Sequence, residues 1–306
     1  MPSVQSYFFR QIMRFSTREV RGATPVERMR AQAERGTRAI KPPREATVQT
    51  ETADGVPAYW VSAPGADPER VILYIHGGGF ILGWNNQYFG LLTTLSKASH
   101  ARTLGIDYRL APEHPFPAAL DDCVTAYRWL LKQGIAPAHI VIAGDSAGGN
   151  LVLTTLLALR EQGLPQPAAA VAISPATDFT GSGESYTTRA KVDPVLRVDF
   201  TQAVGRYYGG DTDPQNPLLS PLYGDLHGLP PLLLHAGADE ILLSDAERFA
   251  AKAQVDGVAV TLHVWPHMWH VFHIFGAALP EARLALAEIG AFAYQHLTTP
   301  VTVSAS

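Results

Sequence analysis

Residues 140–150 read Ile-Val-Ile-Ala-Gly-Asp-Ser-Ala-Gly-Gly-Asn. An apolar, β-branched run stops at Gly144, Ser146 follows two positions on, and Leu151–Arg160 is rich in helix formers. The order is strand, abrupt turn, helix, with G-x-S-x-G at the corner. A corner of this kind lifts serine Oγ above the sheet edge. Gly144 and Gly148 must be small, because a side chain at either place would collide with the neighbouring strand or helix. Ala147 sits at the helix start, where its N–H lacks an intrahelical partner and points toward an anion. The pattern alone arises by chance in many chains; the strand before it and the helix after it give it weight. Ser146 is therefore a candidate nucleophile, on condition that the chain supplies a base and an oxyanion site.

Working outward, Val71–Ile75 is a continuous apolar run, as a strand buried on both faces requires. Arg102–Ile106, Ala168–Ser174, Pro231–Ala236 and Val258–Val264 read the same way, with helices expected over Pro117–Lys132, Ser244–Val255 and Pro280–His296. Thr47–Glu51 and Val56–Ser62 flank Asp54-Gly55, a hairpin signal. Thr24-Pro25-Val26-Glu27 and Ser244-Asp245-Ala246-Glu247 read as capping boxes, the first opening a helix from Pro25 to about Arg35. Strands alternating with helices at this spacing predict a mostly parallel sheet covered on both faces. Residues 1–45 form N-terminal helices in this reading. Tyr7, Phe8, Ile12 and Phe15 recur at helical spacing among arginines, and packing on the parent domain is favoured over lying on a membrane surface. Periodicity weakens over residues 181–216, an insertion with one helical piece, Asp199–Tyr208. Residues 46–298 make the main domain and 299–306 a frayed tail.

The chain has 306 residues, nearly half of them apolar and 17% charged, the profile of a protein with a large core. A net charge of −4 leaves no basic footprint for nucleic acid. Cys123 is the only cysteine, which excludes an intrachain disulfide or a cysteine-based metal site. Neither a signal-peptide core nor a membrane-length apolar run is found, so a cytoplasmic protein without stable membrane insertion is expected.

A serine hydroxyl needs a base within hydrogen-bond reach, and histidine is the usual one. Among eleven histidines, order in the chain decides. In this architecture the acid and then the histidine follow the serine, each on a loop after a later strand. The loop after Pro231–Ala236 offers Asp239 and Glu240; the loop after Val258–Val264 offers His267, His270 and His273. An ester carbonyl under attack gains negative charge, and losing one preorganised donor typically costs ~3–4 kcal/mol in the barrier. His76-Gly77-Gly78-Gly79-Phe80 follows a strand at once, and the N–H groups of Gly77 and Gly78 join that of Ala147 as candidate oxyanion donors.

Together His76–Phe80, Asp107–Ala118 (Asp-Tyr-Arg-Leu-Ala-Pro-Glu-His-Pro-Phe-Pro-Ala) and Gly144–Gly149 resemble the bacterial hormone-sensitive-lipase-like carboxylesterases of the α/β-hydrolase superfamily, in content and in order. The resemblance spans about Val56 to His296. It implies an α/β-hydrolase fold, Ser146 as nucleophile, Asp239 as acid, His270 as base, and a cap formed by the N-terminal helices and residues 181–216. Asp239-Glu240-Ile241 departs from the family's usual Asp-Pro-Leu and keeps Glu240 as the alternative acid. His267-Met268-Trp269-His270-Val271-Phe272 departs from Gly-Met-x-His-Gly-Phe, and its Met268 and Phe272 select His270 over His267. The same variants are similar to the branch of monoterpene ε-lactone hydrolases, which adds lactones to linear esters as substrates. Short to medium acyl chains are implied, with no cofactor or metal, and dimers are common among such relatives. Trp84, Trp269 and Phe272 are candidate pocket residues. His76 is expected to order the glycine loop, and Asp145, Glu113 and Arg109 to be scaffold ion pairs. Two readings of other classes compete: a metal-dependent hydrolase using His263, His267, His270 and His273, and a non-catalytic receptor on the same fold.

Overall fold

Adjacent residues of the central strands serve opposite cores. In the computed structural model, which describes residues 2–18 and 20–298, Val71, Leu73 and Ile75 join one apolar cluster while Ile72 and Tyr74 join another. A side-chain period of two makes a strand buried on both faces read as an unbroken apolar run. Eight strands form the sheet: β1 (Thr47–Ala53), β2 (Val56–Ser62), β3 (Asp67–Ile75), β4 (Ala101–Ile106), β5 (Ile140–Asp145), β6 (Ala169–Ile173), β7 (Leu232–Gly237) and β8 (Val260–Trp265). Their order is β1-β2-β4-β3-β5-β6-β7-β8. The first two pairings are antiparallel and the rest parallel. Asp54 and Gly55 both have positive φ at the β1–β2 turn, as a two-residue hairpin loop requires.

The helices are α1 (Val4–Ser16), α2 (Val26–Thr37), α3 (Gln87–Ser99), α4 (Ala118–Lys132), α5 (Ala147–Glu161), α6 (Ser185–Thr188), α7 (Val198–Gly209), α8 (Leu243–Val255) and α9 (Pro280–Thr298). Helices α3 and α9 cover one face of the sheet, and α4, α5 and α8 the other. No helix among the described residues is long and apolar enough to cross a membrane. The expected tail, 299–306, lies outside them.

Three local expectations need correction. Neither capping box forms. Thr24 accepts from Arg21 N–H rather than from its own helix, and Ser244, already inside α8, bonds Ser185 instead. Helix α1 also packs by a different face from the one its spacing suggested. Ser6, Phe9 and Met13 turn inward, whereas Val4, Tyr7, Phe8 and Phe15 stay exposed and Ile12 is 40% exposed. The helix is apolar on both sides, so periodicity alone could not say which side docks. Finally, Arg109 pairs with Asp122, and Glu113 with Arg30 of α2; Asp145 pairs with neither.

Candidate active site

The turn between β5 and α5 holds Ser146 at φ 56°, ψ −117°, a conformation that non-glycine residues rarely adopt. Its N–H donates to Ile173 O on β6 at 2.8 Å and its carbonyl accepts from Asn150 N–H at 3.0 Å, so strand and helix together enforce the strain. The helix can approach because Gly148 lacks a side chain: a Cβ there would stand 2.0 Å from Ile75 O. At this corner Ser146 Oγ lies 2.8 Å from His270 Nε2.

His270 follows β8 on a loop bonded to the one after β7, with Ala238 N–H donating to Trp265 O and Asp239 N–H to Met268 O. Behind the imidazole, Nδ1 lies 3.4 Å from Glu240 Oε2. Glu240 is fully buried, and the same oxygen accepts the Ser174 hydroxyl at 2.7 Å. Ser174 Oγ in turn accepts from Val271 N–H at 3.3 Å. Burial disfavours the His270 imidazolium, but contact with Glu240 and its charge, supported by Asp193 and Asp145, outweigh this and raise its pKa above the ordinary value.

Glu240, rather than the Asp239 that the family pattern implied, is the carboxylate beside His270. Asp239 faces away from His270, a quarter exposed, and its Oδ2 takes Arg10 Nη2 of α1 at 2.6 Å. Consecutive residues on this turn point to opposite sides, and the extra methylene of Glu240 carries its carboxylate to the ring. Arg10 also donates to the carbonyls of His267 and Val192, joining α1 to both loops. The His267 side chain is exposed.

The glycine loop also differs from expectation. Gly77 N–H is already engaged, donating to Tyr88 Oη at 2.9 Å and Asp145 Oδ1 at 3.1 Å. It offers nothing to a substrate, and it is glycine because a Cβ would meet Asp145 Oδ2 at 2.3 Å. Asp145 is a buried hub, accepting from Tyr74 and Tyr88 as well, and burial raises its pKa despite those bonds. Gly78 and Gly79 have positive φ and border the cavity beside Ser146 and Ala147. The N–H groups of Gly78, Gly79 and Ala147 have no partner among the described residues. Gly79 N–H is thus open where Gly77 N–H was expected to be, beside those of Gly78 and Ala147. His76 stacks on Tyr108 at 4.3 Å, its Nδ1 meets Gly77 O at 2.6 Å, and its Nε2 is 3.6 Å from Asp107, so it braces the loop from behind.

A cavity of about 820 Å³ opens over Ser146 and His270. Trp269 borders it, as expected. Trp84 does not: it stacks on Tyr59 at 4.9 Å, away from the cavity. Phe272 is fully buried against Trp265 and His273. The apolar walls come instead from Met13 and Val20 near the N-terminus, Val198, Phe200 and Val204 of α7, and Phe275. Asp193 binds this roof to the acid loop, accepting from Val195 and Leu196 N–H with Oδ1 and from Ile241 N–H with Oδ2 at 2.9 Å. Burial pushes the Asp193 carboxyl up to about 6. The four histidines of the metal-hydrolase reading do not converge: His270 meets Ser146, His267 points to solvent, and His263 and His273 lie on the far side of the loop by His235.

Strand-turn-helix serine, histidine and three unengaged amides share one cavity floor. The profile of the alpha/beta hydrolase fold matches residues 72–274. An acetyl-hydrolase of Streptomyces hygroscopicus is 44% identical over 264 residues, 86% of each chain. An esterase of Acinetobacter venetianus is 42% identical over 229 residues, covering 74% of this chain and 76% of its own. A crystal structure of an esterase from the bacterial hormone-sensitive lipase family superposes with a TM-score of 0.92 at 40% identity, covering 97% of this chain and 99% of that one. This chain belongs to the hormone-sensitive-lipase-like carboxylesterases of the α/β-hydrolase superfamily. In this esterase, then, the fold expected from the three motifs is present and the enzyme class is serine ester hydrolysis. Ser174, which touches Glu240, is the residue that motif reading missed, and Glu240 entered it only as the alternative acid. A lone serine before Pro175 carries no recognisable pattern, and Glu240 was outweighed by the family's usual aspartate.

Proposed function

We propose that this esterase cleaves short-chain carboxylic esters with Ser146 as nucleophile, His270 as base and Glu240 as acid. The 2.8 Å contact between Ser146 Oγ and His270 Nε2, on a floor with three unengaged N–H donors, carries the reading. Oγ attacks the ester carbon while its proton passes to Nε2, and the carbonyl oxygen becomes an oxyanion held by Gly78, Gly79 and Ala147. Collapse expels the alcohol, which takes the Nε2 proton and leaves an acyl-serine. Water then gives a proton to Nε2 and attacks the acyl carbon, and the second collapse returns the proton to Oγ as the acid departs. Glu240 holds the ring in the tautomer with Nδ1–H and offsets the imidazolium charge in both halves.

Relatives named acetyl-hydrolase and esterase support short acyl groups. A panel of p-nitrophenyl esters from acetate to dodecanoate, with lactones of matched size, tests the assignment. Turnover should peak among the short esters and fall by about six orders of magnitude in kcat with Ser146→Ala. Substantial turnover by that variant would refute the acyl-serine route.

A further inference from the structure

Strands β7 and β8 pair with His235 directly opposite His263, so both imidazoles rise on the same face of the sheet, the one covered by α9. From α9, Glu288 reaches between them. Its Oε2 lies 2.8 Å from His263 Nδ1 and 3.5 Å from His235 Nε2. All three ligand atoms fall within 4.8 Å of one another. His235 is fully buried, and its Nε2 has no hydrogen-bond partner although it faces this cluster. A buried polar atom left unpaired is costly and calls for an explanation.

Two imidazoles and one carboxylate are a donor set that zinc accepts, at bonds of about 2.0–2.2 Å. Donors around a tetrahedral ion then stand about 3.3 Å apart. The His235–Glu288 spacing of 3.5 Å is already close to that, the 2.8 Å His263–Glu288 contact has to open by about half an ångström, and the two imidazole nitrogens start within 4.8 Å of each other. We propose that His235, His263 and Glu288 form a binding site for a zinc-type divalent ion, separate from Ser146 and His270.

The surroundings supply what such a site needs. His235 Nδ1 lies 3.2 Å from His273 Nε2, a nitrogen that accepts a hydrogen bond from the second ring N–H when it is unprotonated. In the metal-free protein Trp265 Nε1–H donates to the same Nδ1 at 3.3 Å, which leaves the ring proton on Nε2. Binding moves that proton to Nδ1, where His273 accepts it, and gives up the long Trp265 bond. His263 and Glu288 are 40% and 36% exposed, so the open side of the ion faces water. Three protein donors plus water is the coordination of an open zinc site. A second His–carboxylate cluster among the described residues, Asp225, His227 and Asp256, lacks these features. His227 is exposed and already bonded to Asp225 at 2.6 Å, and Lys252 holds Asp256 at 2.8 Å.

The test is calorimetric titration of zinc chloride into chelator-stripped protein, with cobalt(II) absorption reporting coordination. His263→Ala, Glu288→Gln and, as a control at the second cluster, His227→Ala are compared with the parent. One equivalent should bind, with a four- or five-coordinate cobalt spectrum, and His263→Ala and Glu288→Gln should each bind about ten-fold more weakly or worse. Both residues are partly exposed and lie outside the Ser146 cavity, so metal-free turnover of p-nitrophenyl acetate by these variants should match the parent. Absence of binding up to millimolar zinc, binding unchanged in both variants, or loss in His227→Ala instead overturns the proposal. In those outcomes Glu288 serves only to pair with His263.

Discussion

Ser174 Oγ donates a hydrogen bond to Glu240 Oε2 at 2.7 Å and accepts one from Val271 N–H at 3.3 Å, so one hydroxyl fixes both the carboxylate and the backbone beside His270. A hydrogen bond to an ionised group is worth about 1.5–3 kcal/mol. Ser174→Ala should therefore lower kcat by about ten- to a hundred-fold with KM little changed, measured on p-nitrophenyl acetate. Loss in KM alone would mean that Ser174 shapes the pocket instead.

Glu240 and Asp239 are neighbours with opposite surroundings, the first sealed behind His270 and the second on Arg10. Glu240→Gln should cost about three to four orders of magnitude in kcat, because the amide no longer selects the right tautomer or offsets the imidazolium. Asp239→Asn should stay within a few-fold of the parent. The reverse ranking would restore the acid that the family pattern implied.

The pH profile follows from the same carboxylate. His270 must be neutral to accept the Ser146 proton, so kcat/KM should fall as pH drops through its raised pKa. Glu240 favours the imidazolium. Removing its charge lowers that pKa, and the acid limb of the residual Glu240→Gln activity should move to lower pH. A limb that does not move would show that Glu240 has no electrostatic hold on the base.

Asp193 ties the roof of the cavity to the loop carrying Glu240 through three backbone N–H groups. In Asp193→Asn the amide cannot accept on both sides, and Ile241 N–H is left facing another donor. The cost is about 1–3 kcal/mol, a drop of a few degrees in Tm. The Asp193 carboxyl is raised to about 6 in the fold, so its contribution is full below the unfolded value of about 3.8 and declines as pH rises through 6. The deficit of the variant should accordingly narrow between about pH 4 and pH 6. Constant or widening deficits would count against a raised Asp193.

The strained serine, its flanking glycines and the histidine were legible because each depends on a few adjacent residues and a fixed chain order. Glu240 was not, since choosing it over Asp239 needs the direction of each side chain on one turn and one methylene of reach. Gly79 in place of Gly77 was hidden for a similar reason: the tyrosine that occupies Gly77 N–H comes from α3, a helix without a motif. The cavity walls were hardest to read. Val20 and Val204 approach the same space from segments far apart in the chain, and neither sits in a pattern of its own.

Arg10 reaches the turn behind the acid while Met13 and Thr17, less than two helical turns further along, border the cavity. The segment 10–17 thus both borders the cavity and braces the loop of Asp239 and Glu240. A chimaera that exchanges only this segment between two such esterases should inherit its donor's chain-length profile, and should do so cleanly only where the donor keeps an arginine to meet Asp239.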